Sequence, residues 1–142
     1  MTASQTDDAA RQFLAKPWVA MVAVAAAGRG PLNVPIWYSL DEQGRPWFVS
    51  PKESLKSRLI VATSRFTLTA QRESRPYAYV SVEGTAVLET AVYGDIRQMA
   101  ARYLGDVPGT AYADSMREKM DAGTRFRITL EPERWSHYGL GE

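Results

Sequence analysis

The sequence predicts a mainly β chain, an antiparallel barrel with peripheral helices, and three observations lead there. Strand-like segments cluster in the first half with turns between them. Helical segments fall between and after the strands. The strand–helix–strand regularity of a parallel sheet is missing, as are internal repeats and low-complexity tracts. At 142 residues and 15.8 kDa, one domain spanning residues 1–142 is expected.

Taken in order, residues 7–15 place Ala10, Phe13 and Leu14 on one face behind Asp7 and Asp8, the pattern of a short amphipathic helix that Pro17 stops. Residues 18–26 are almost continuously apolar, as in a buried strand. The turn chemistry of Gly28, Arg29, Gly30 and Pro31 reverses the chain into residues 32–40, completing a hairpin. A second turn at Asp41, Glu42, Gln43 and Gly44 leads to a third strand over 46–50, rich in Trp47, Phe48 and Val49. Ser54 then opens a helix with Leu55, Leu59 and Ile60 on a common side.

Residues 66–70 return to strand alternation. The longest β pattern, 77–88, puts Tyr77, Tyr79, Ser81, Glu83 and Thr85 on one face and Ala78, Val80, Val82, Gly84 and Ala86 on the other, as a central strand would. Helical spacing covers 93–103 and 112–120, and 105–109 reads as the break between them. Residues 126–130 close the sheet and 135–138 extend it.

Composition narrows the function. Apolar residues make up 45% and charged residues 23%, ordinary globular usage, and the longest apolar run, 19–27, is too short for a membrane helix. Residues 1–10 hold two Asp, no Lys or Arg and no apolar core, so no secretory signal and a cytoplasmic location are expected. With no Cys and the single His137, disulfides, thiolate chemistry and a protein-built metal site are not expected. Seventeen basic against sixteen acidic residues give a net charge of +1, without the basic excess of a nucleic-acid binder. A small molecule is the expected partner.

Two segments carry candidate chemistry. Between positions 50 and 58, Ser50, Lys52, Ser54, Lys56, Ser57 and Arg58 place three hydroxyls and three cations where a strand gives way to a helix. Free amides at a helix start and the positive end of its dipole favour a phosphate there, with Lys56 the principal cation. A solvated helix face gives the same pattern, and on composition alone it is the stronger reading. In the second segment, Pro35 limits its strand to an edge or bulge, against which a flat ligand can lie. Trp37 and Tyr38 then point to opposite faces, one into the barrel and one toward a ring system or a partner subunit; ordinary packing accounts equally well for either alone.

Three segments in order, Asn33-Val34-Pro35-Ile36-Trp37-Tyr38, Ser50-Pro51-Lys52-Glu53-Ser54-Leu55-Lys56-Ser57-Arg58-Leu59 and Pro76-Tyr77-Ala78-Tyr79-Val80-Ser81-Val82-Glu83-Gly84-Thr85, resemble the pyridoxamine 5'-phosphate oxidase-like split β-barrels. The likeness runs from about residue 18 to residue 138 and points to the smaller branch of the actinobacterial flavin/deazaflavin oxidoreductases. It implies a six-stranded antiparallel Greek-key barrel of the FMN-binding split-barrel type, a homodimer, and a cofactor groove at the dimer interface. Carried over by residue, it implies a cofactor phosphate at Lys52, Ser54 and Lys56, and a ring lined by Pro35, Ile36 and Trp37 with Val49 and Ser50 beside them. Glu83 and Gly84 fall on a structural, dimer-forming strand. The branch includes users of coenzyme F-420, users of FMN and binders of haem-derived molecules. Lys56 resembles the lysine of deazaflavin users, whereas Leu59 stands where many relatives carry Asn.

The resemblance therefore implies an F-420-dependent reductase passing hydride to an unsaturated or quinone-like organic substrate. The alternatives are an FMN enzyme of the same fold, or a protein that binds F-420, flavin or a tetrapyrrole without turnover. Hydride chemistry belongs to the cofactor, which agrees with a chain lacking Cys, a nucleophile elbow and a carboxylate pair. No catalytic side chain is assigned. Tyr38, Tyr79 and Tyr138 are unranked as proton donors, beside a Lys or water, and His137 reads as a packed or interface residue. Tyr112, Met116 and Met120, at i, i+4 and i+8, read as a helix face that packs on the barrel or overhangs the groove, packing being the stronger reading.

Overall fold

The computed structural model describes residues 2–141; the terminal residues of the expected 1–142 span lie outside the described residues. The chain runs α1 (Ala3–Leu14), β1 (Ala20–Val24), β2 (Leu32–Ile36), β3 (Ser39–Leu40), β4 (Pro46–Pro51), α2 (Leu55–Thr63), β5 (Arg65–Arg72), β6 (Ala78–Thr90), α3 (Tyr93–Leu104), α4 (Asp106–Ser115), α5 (Arg117–Asp121) and β7 (Arg125–Tyr138). The mainly β class with peripheral helices is as expected. Among the described residues, no helix is long and apolar enough to cross a membrane.

All strand pairs are antiparallel, in the order β2-β1-β5-β6-β7-β4-β3. β2 and β3 stand at opposite edges of this sheet, yet only Trp37 and Tyr38 separate them in the chain. Three residue steps span at most about 11 Å. The edges must therefore meet, and the sheet curls into a barrel with a seam between β2 and β4. The count is seven strands rather than six because the expected strand 32–40 breaks at that seam.

Pro35 sits where its missing amide is harmless, on an edge strand paired only with β1. β3 pairs only with Trp47 and Pro46, so beyond Trp47 the seam side of β4 has no strand partner. β6 is the fourth strand of the order, the expected central one, and its inner residues Ala78, Val80 and Val82 are buried. The separate segments 126–130 and 135–138 prove to be one strand, bent by a bulge where the register shifts at Glu83 and Gly84. A Cβ at Gly84 would collide with the Glu131 carbonyl, so only glycine fits.

The barrel interior holds Val22, Leu68, Val80, Val82, Ile128 and Leu130, with Phe48 and Phe66 edge to face at 5.6 Å. α1 adds Ala10 and Leu14, as its pattern predicts. It starts four residues earlier than expected, because Thr2 and Gln5 cap each other's amides at 3.1 and 2.9 Å; Asp7 and Asp8 therefore lie beyond the first turn.

A second layer, α3 to α5, covers the outer face of β4 through Ala91, Ile96, Ala113, Met120 and Val49. The expected break over 105–109 shrinks to Gly105, and α4 begins at Asp106. Pro108 is tolerated in a first turn. Gly109 is there for contact: a Cβ would lie 2.7 Å from Ala101 Cα, so glycine lets α4 press onto α3.

Candidate functional site

Alternation along β4 sends Phe48 and Ser50 inward and Trp47, Val49 and Pro51 outward, successive outward residues being about 7 Å apart. Each outward residue lines a different cavity. Val49 shares one of 160 Å³ with Ile36, Trp37, Ile96, Met99 and Tyr112. Three of the predicted ring-lining residues, Ile36, Trp37 and Val49, are thus brought together beside the seam. The other two are not: Pro35 is exposed on the opposite face of β2, and Ser50 is fully buried inside the barrel.

The seam is held by α3, through residues the sequence did not flag. Arg102 donates to the Tyr38 carbonyl at 2.9 Å and to the carbonyls of Leu14, Ala15 and Lys16 at 3.0, 2.9 and 2.9 Å. One guanidinium thus joins the C-terminal end of α1 to the β2–β3 corner. Tyr103 accepts the Tyr38 amide at 3.1 Å, donates to the Trp18 carbonyl at 2.7 Å, and stacks on Trp37 with ring centres 4.9 Å apart and planes 5° from parallel. Tyr112 tilts against the same indole at 5.7 Å.

Of the two seam aromatics, Tyr38 is the buried one, and its hydroxyl donates toward the Leu14 and Lys16 carbonyls at 2.8 and 3.0 Å. Burial, and then Tyr103 beside it, push its pKa well above the ordinary tyrosine value. A phenol so fixed is a structural donor, which removes Tyr38 from the proton-donor candidates. Tyr79 and Tyr138 stack at 6.4 Å on the open face of β6 and β7. His137 lies on β7 opposite Val80, among strand neighbours.

In the segment 50–58 the hydroxyls turn inward and the cations outward. Ser57 donates to Ser50 at 2.8 Å, and Ser54 lies 3.1 Å from both hydroxyls. Ser54 is the N-cap of α2, accepting the Ser57 amide at 3.1 Å. Leu59 packs against the barrel core. Lys52 donates to Thr90 at 2.8 Å, with its ammonium 5.2 Å from the Phe126 ring centre. Lys56 is half-buried, 5.9 Å from the Phe48 ring centre, and burial holds its pKa below the ordinary lysine value. Neither lysine forms an ion pair among the described residues.

Sequence reasoning missed Ile96, Met99, Lys119 and Arg125. The α3 pair shares an apolar face readable at i, i+3 spacing, and Tyr112, expected to pack on the barrel or overhang the groove, is half-exposed and lines the cavity beside Trp37. Lys119 and Arg125 join Pro51, Lys52, Glu53 and Thr124 around a 390 Å³ cavity, and no local pattern marks them. At the other end, Trp47 lines a 350 Å³ polar cavity with Arg45, Gln98 and Arg127.

No family model and no curated protein matches this chain. Solved structures do. A conserved hypothetical protein from Mycobacterium tuberculosis superposes with a TM-score of 0.74 at 16% identity, covering 99% of this chain and 86% of its own. An F420 reductase superposes at 0.71 with 20% identity, covering 89% and 94%. A FAD-binding protein from Mesorhizobium loti superposes at 0.62 with 16% identity, covering 96% and 94%. At such identities the likeness is one of architecture, and the chain has the split β-barrel fold that these proteins share.

Proposed function

We propose that this chain is a flavin- or deazaflavin-binding oxidoreductase, and specifically an F-420-dependent reductase acting on an unsaturated or quinone-like organic substrate. The observation that carries the reading is the seam. Two strand edges without a further strand partner, β2 and the end of β4, face each other there. Ile36, Trp37 and Val49 stand at one side of it, and Lys56 lies at the barrel end against Phe48 without a carboxylate partner among the described residues.

The residues fit such a group. Unpaired edge amides and carbonyls suit the polar rim of a flat heterocycle, and the apolar wall of Ile36, Trp37 and Val49 suits its face. Lys56 pays a desolvation penalty that a phosphate beside it would relieve. Ser54 and the first amides of α2 complete a phosphate site with Lys56 and Lys52. Pro35 and Ser50 support the seam through their backbone. When bound, the ring supplies the hydride chemistry. The chain's share is to hold the phosphate, orient the ring, and keep water off one face with Trp37 and Tyr112.

That an F420 reductase and a FAD-binding protein share the fold supports the class of ligand. FMN is the second reading, favoured by the FAD-binding neighbour. A third is binding without turnover, for which a heme binding protein from Mycobacterium smegmatis speaks; it superposes at 0.66 with 21% identity, covering 94% of this chain and 54% of its own. We read residues 1–142 as one domain that works in the cytoplasm as a homodimer, with a small-molecule substrate and neither nucleic acid nor membrane as partner.

The test is parallel absorbance titration of the apoprotein with F-420 and FMN, on wild type and Lys56→Ala. Saturable F-420 binding, weakened by the substitution and tighter than FMN, is expected. Binding of neither cofactor would remove the proposal, and tighter FMN binding would transfer it to the flavin.

A further inference from the structure

Hydride addition completes only half of the reduction of an unsaturated carbonyl compound or a quinone. The electron pair of the double bond moves onto the carbonyl oxygen, and the oxyanion so formed must gain one proton. The phosphate site and the ring wall supply none.

The cavity beside the seam holds one group that can. Among its lining residues, Ile36, Val49, Ile96 and Met99 have no acidic hydrogen, and the indole N–H of Trp37 donates hydrogen bonds without giving up its proton. Tyr112 alone brings a hydroxyl. The other phenols around the helical layer are engaged: Tyr38 with the carbonyls of Leu14 and Lys16, Tyr103 with the Trp18 carbonyl, and Tyr93 with Asp114 at 2.5 Å. Tyr79 and Tyr138 line a different cavity, with Gln71 and Arg72. The Tyr112 hydroxyl makes no hydrogen bond among the described residues, which leaves it available to a ligand.

Its backbone is nevertheless fixed. Gly109, three residues earlier, presses α4 onto Ala101, the adjacent Ala113 is fully buried, and Asp114 is tied to Tyr93. The ring tilts at 54° against Trp37, which lies flat on Tyr103. A donor held this way needs little reorganisation to meet a reacting atom. Ile36, Ile96 and Met99 are buried, whereas Tyr112 is 39% exposed, so the phenol stands at the cavity mouth. A substrate entering there meets it, and water outside can return the proton it gives up. The 160 Å³ volume lies below the ~300 Å³ lower end of whole-ligand sites, which suits the reacting edge of a molecule.

We infer that Tyr112 is the proton donor of the reduction proposed above, on which this assignment rests. The substrate takes a hydride from the reduced ring, which is thereby oxidised, and its double-bond pair passes to the carbonyl oxygen. Tyr112 gives its hydroxyl proton to the resulting enolate, and solvent reprotonates the tyrosinate at the mouth.

The experiment compares wild type with Tyr112→Phe, which keeps the ring and removes only the hydroxyl; equal melting temperatures confirm the fold. Both proteins are titrated by absorbance with F-420 and, separately, with 4-nitrophenolate, a stable mimic of the enolate oxyanion. F-420 affinity should agree within about twofold, while 4-nitrophenolate should bind Tyr112→Phe about tenfold more weakly, the worth of one hydrogen bond to a charged acceptor. With reduced F-420 and either menadione or 2-cyclohexen-1-one, kcat should fall about 100-fold and KM change little. The assignment is overturned by 4-nitrophenolate binding wild type no better than Tyr112→Phe, or by equal kcat in the two proteins. Where wild type turns over neither compound, the 4-nitrophenolate comparison decides. Failure of wild type to bind F-420 or FMN removes the proposed function and this assignment with it, whereas cofactor binding with an indifferent Tyr112 overturns the assignment alone.

Discussion

The two ends of β4 present similar cations in opposite electrostatic states. At the Trp47 end, Arg127 stacks on the indole at 4.0 Å and pairs with Asp95 at 2.8 Å, while Arg45 lies between Asp41 at 2.7 Å and Glu131 at 2.5 Å. At the Pro51 end, Lys52, Lys56, Lys119 and Arg125 have no carboxylate partner among the described residues. The Arg127–Asp95 pair holds the barrel to its helical layer, and Arg45 ties the β3–β4 turn to β7. The cations at the Pro51 end have no such fixed acid, although Glu53 lines the same cavity, and the phosphate site proposed at Lys52 and Lys56 lies among them.

The most disruptive way to probe this contrast is Asp95→Ala. It strands Arg127 over Trp47 and removes the acceptor of the Val92 amide at 2.9 Å, with both side chains largely shielded from solvent. Removing one partner of such a pair should cost about 2 to 4 kcal/mol, read as a lower urea midpoint at unchanged slope.

Asp41→Asn is expected to cost less, about 1 kcal/mol at neutral pH. Burial by itself raises the Asp41 pKa, but the Arg45 amide and guanidinium and the Gln43 amide outweigh it and hold the carboxyl below its ordinary value. A depressed acid contributes stability that is present above about pH 4 and is lost as pH falls through the folded-state pKa. Urea midpoints taken down an acid series should therefore fall more steeply for wild type than for Asp41→Asn.

At the other end the sign reverses. Lys56 is less easily protonated folded than unfolded, so its charge opposes folding at neutral pH, and the penalty fades as pH rises toward the ordinary lysine value near 10.4. Lys56→Met should be more stable than wild type at pH 7, the gap in melting temperature narrowing toward pH 10; a variant less stable at pH 7 would contradict the contrast. The smallest effect is expected for Lys119→Gln, whose stability should stay within about 0.5 kcal/mol of wild type.

The sequence and the structure agree where the physics is local. Ser54 was legible as a cap because hydroxyl, helix start and the following cations are neighbours in the chain. β6 was legible because a strand with one face in the core alternates visibly. The helix break was overextended because Gly109 reads as a breaker, while its actual use, a close approach of α4 to Ala101, depends on a helix eight residues back. Of the residues the resemblance implied, Ile36, Trp37 and Val49 converge on one cavity, whereas the pleat turns Ser50 into a serine network with Ser54 and Ser57.

By itself, then, the amino-acid order determined where most strands and helices lie, that Pro35 belongs at an edge or bulge, and the chemistry available between Ser50 and Arg58, since each is settled within one or two turns of chain. Tertiary structure alone decided that the barrel closes at a seam between β2 and β4, that Arg102 clamps it, and that Lys52 is joined by Lys119 and Arg125. The last two depend on segments about 65 to 75 positions apart being brought together by barrel closure and helix packing. No local periodicity encodes which distant side chains will share a cavity.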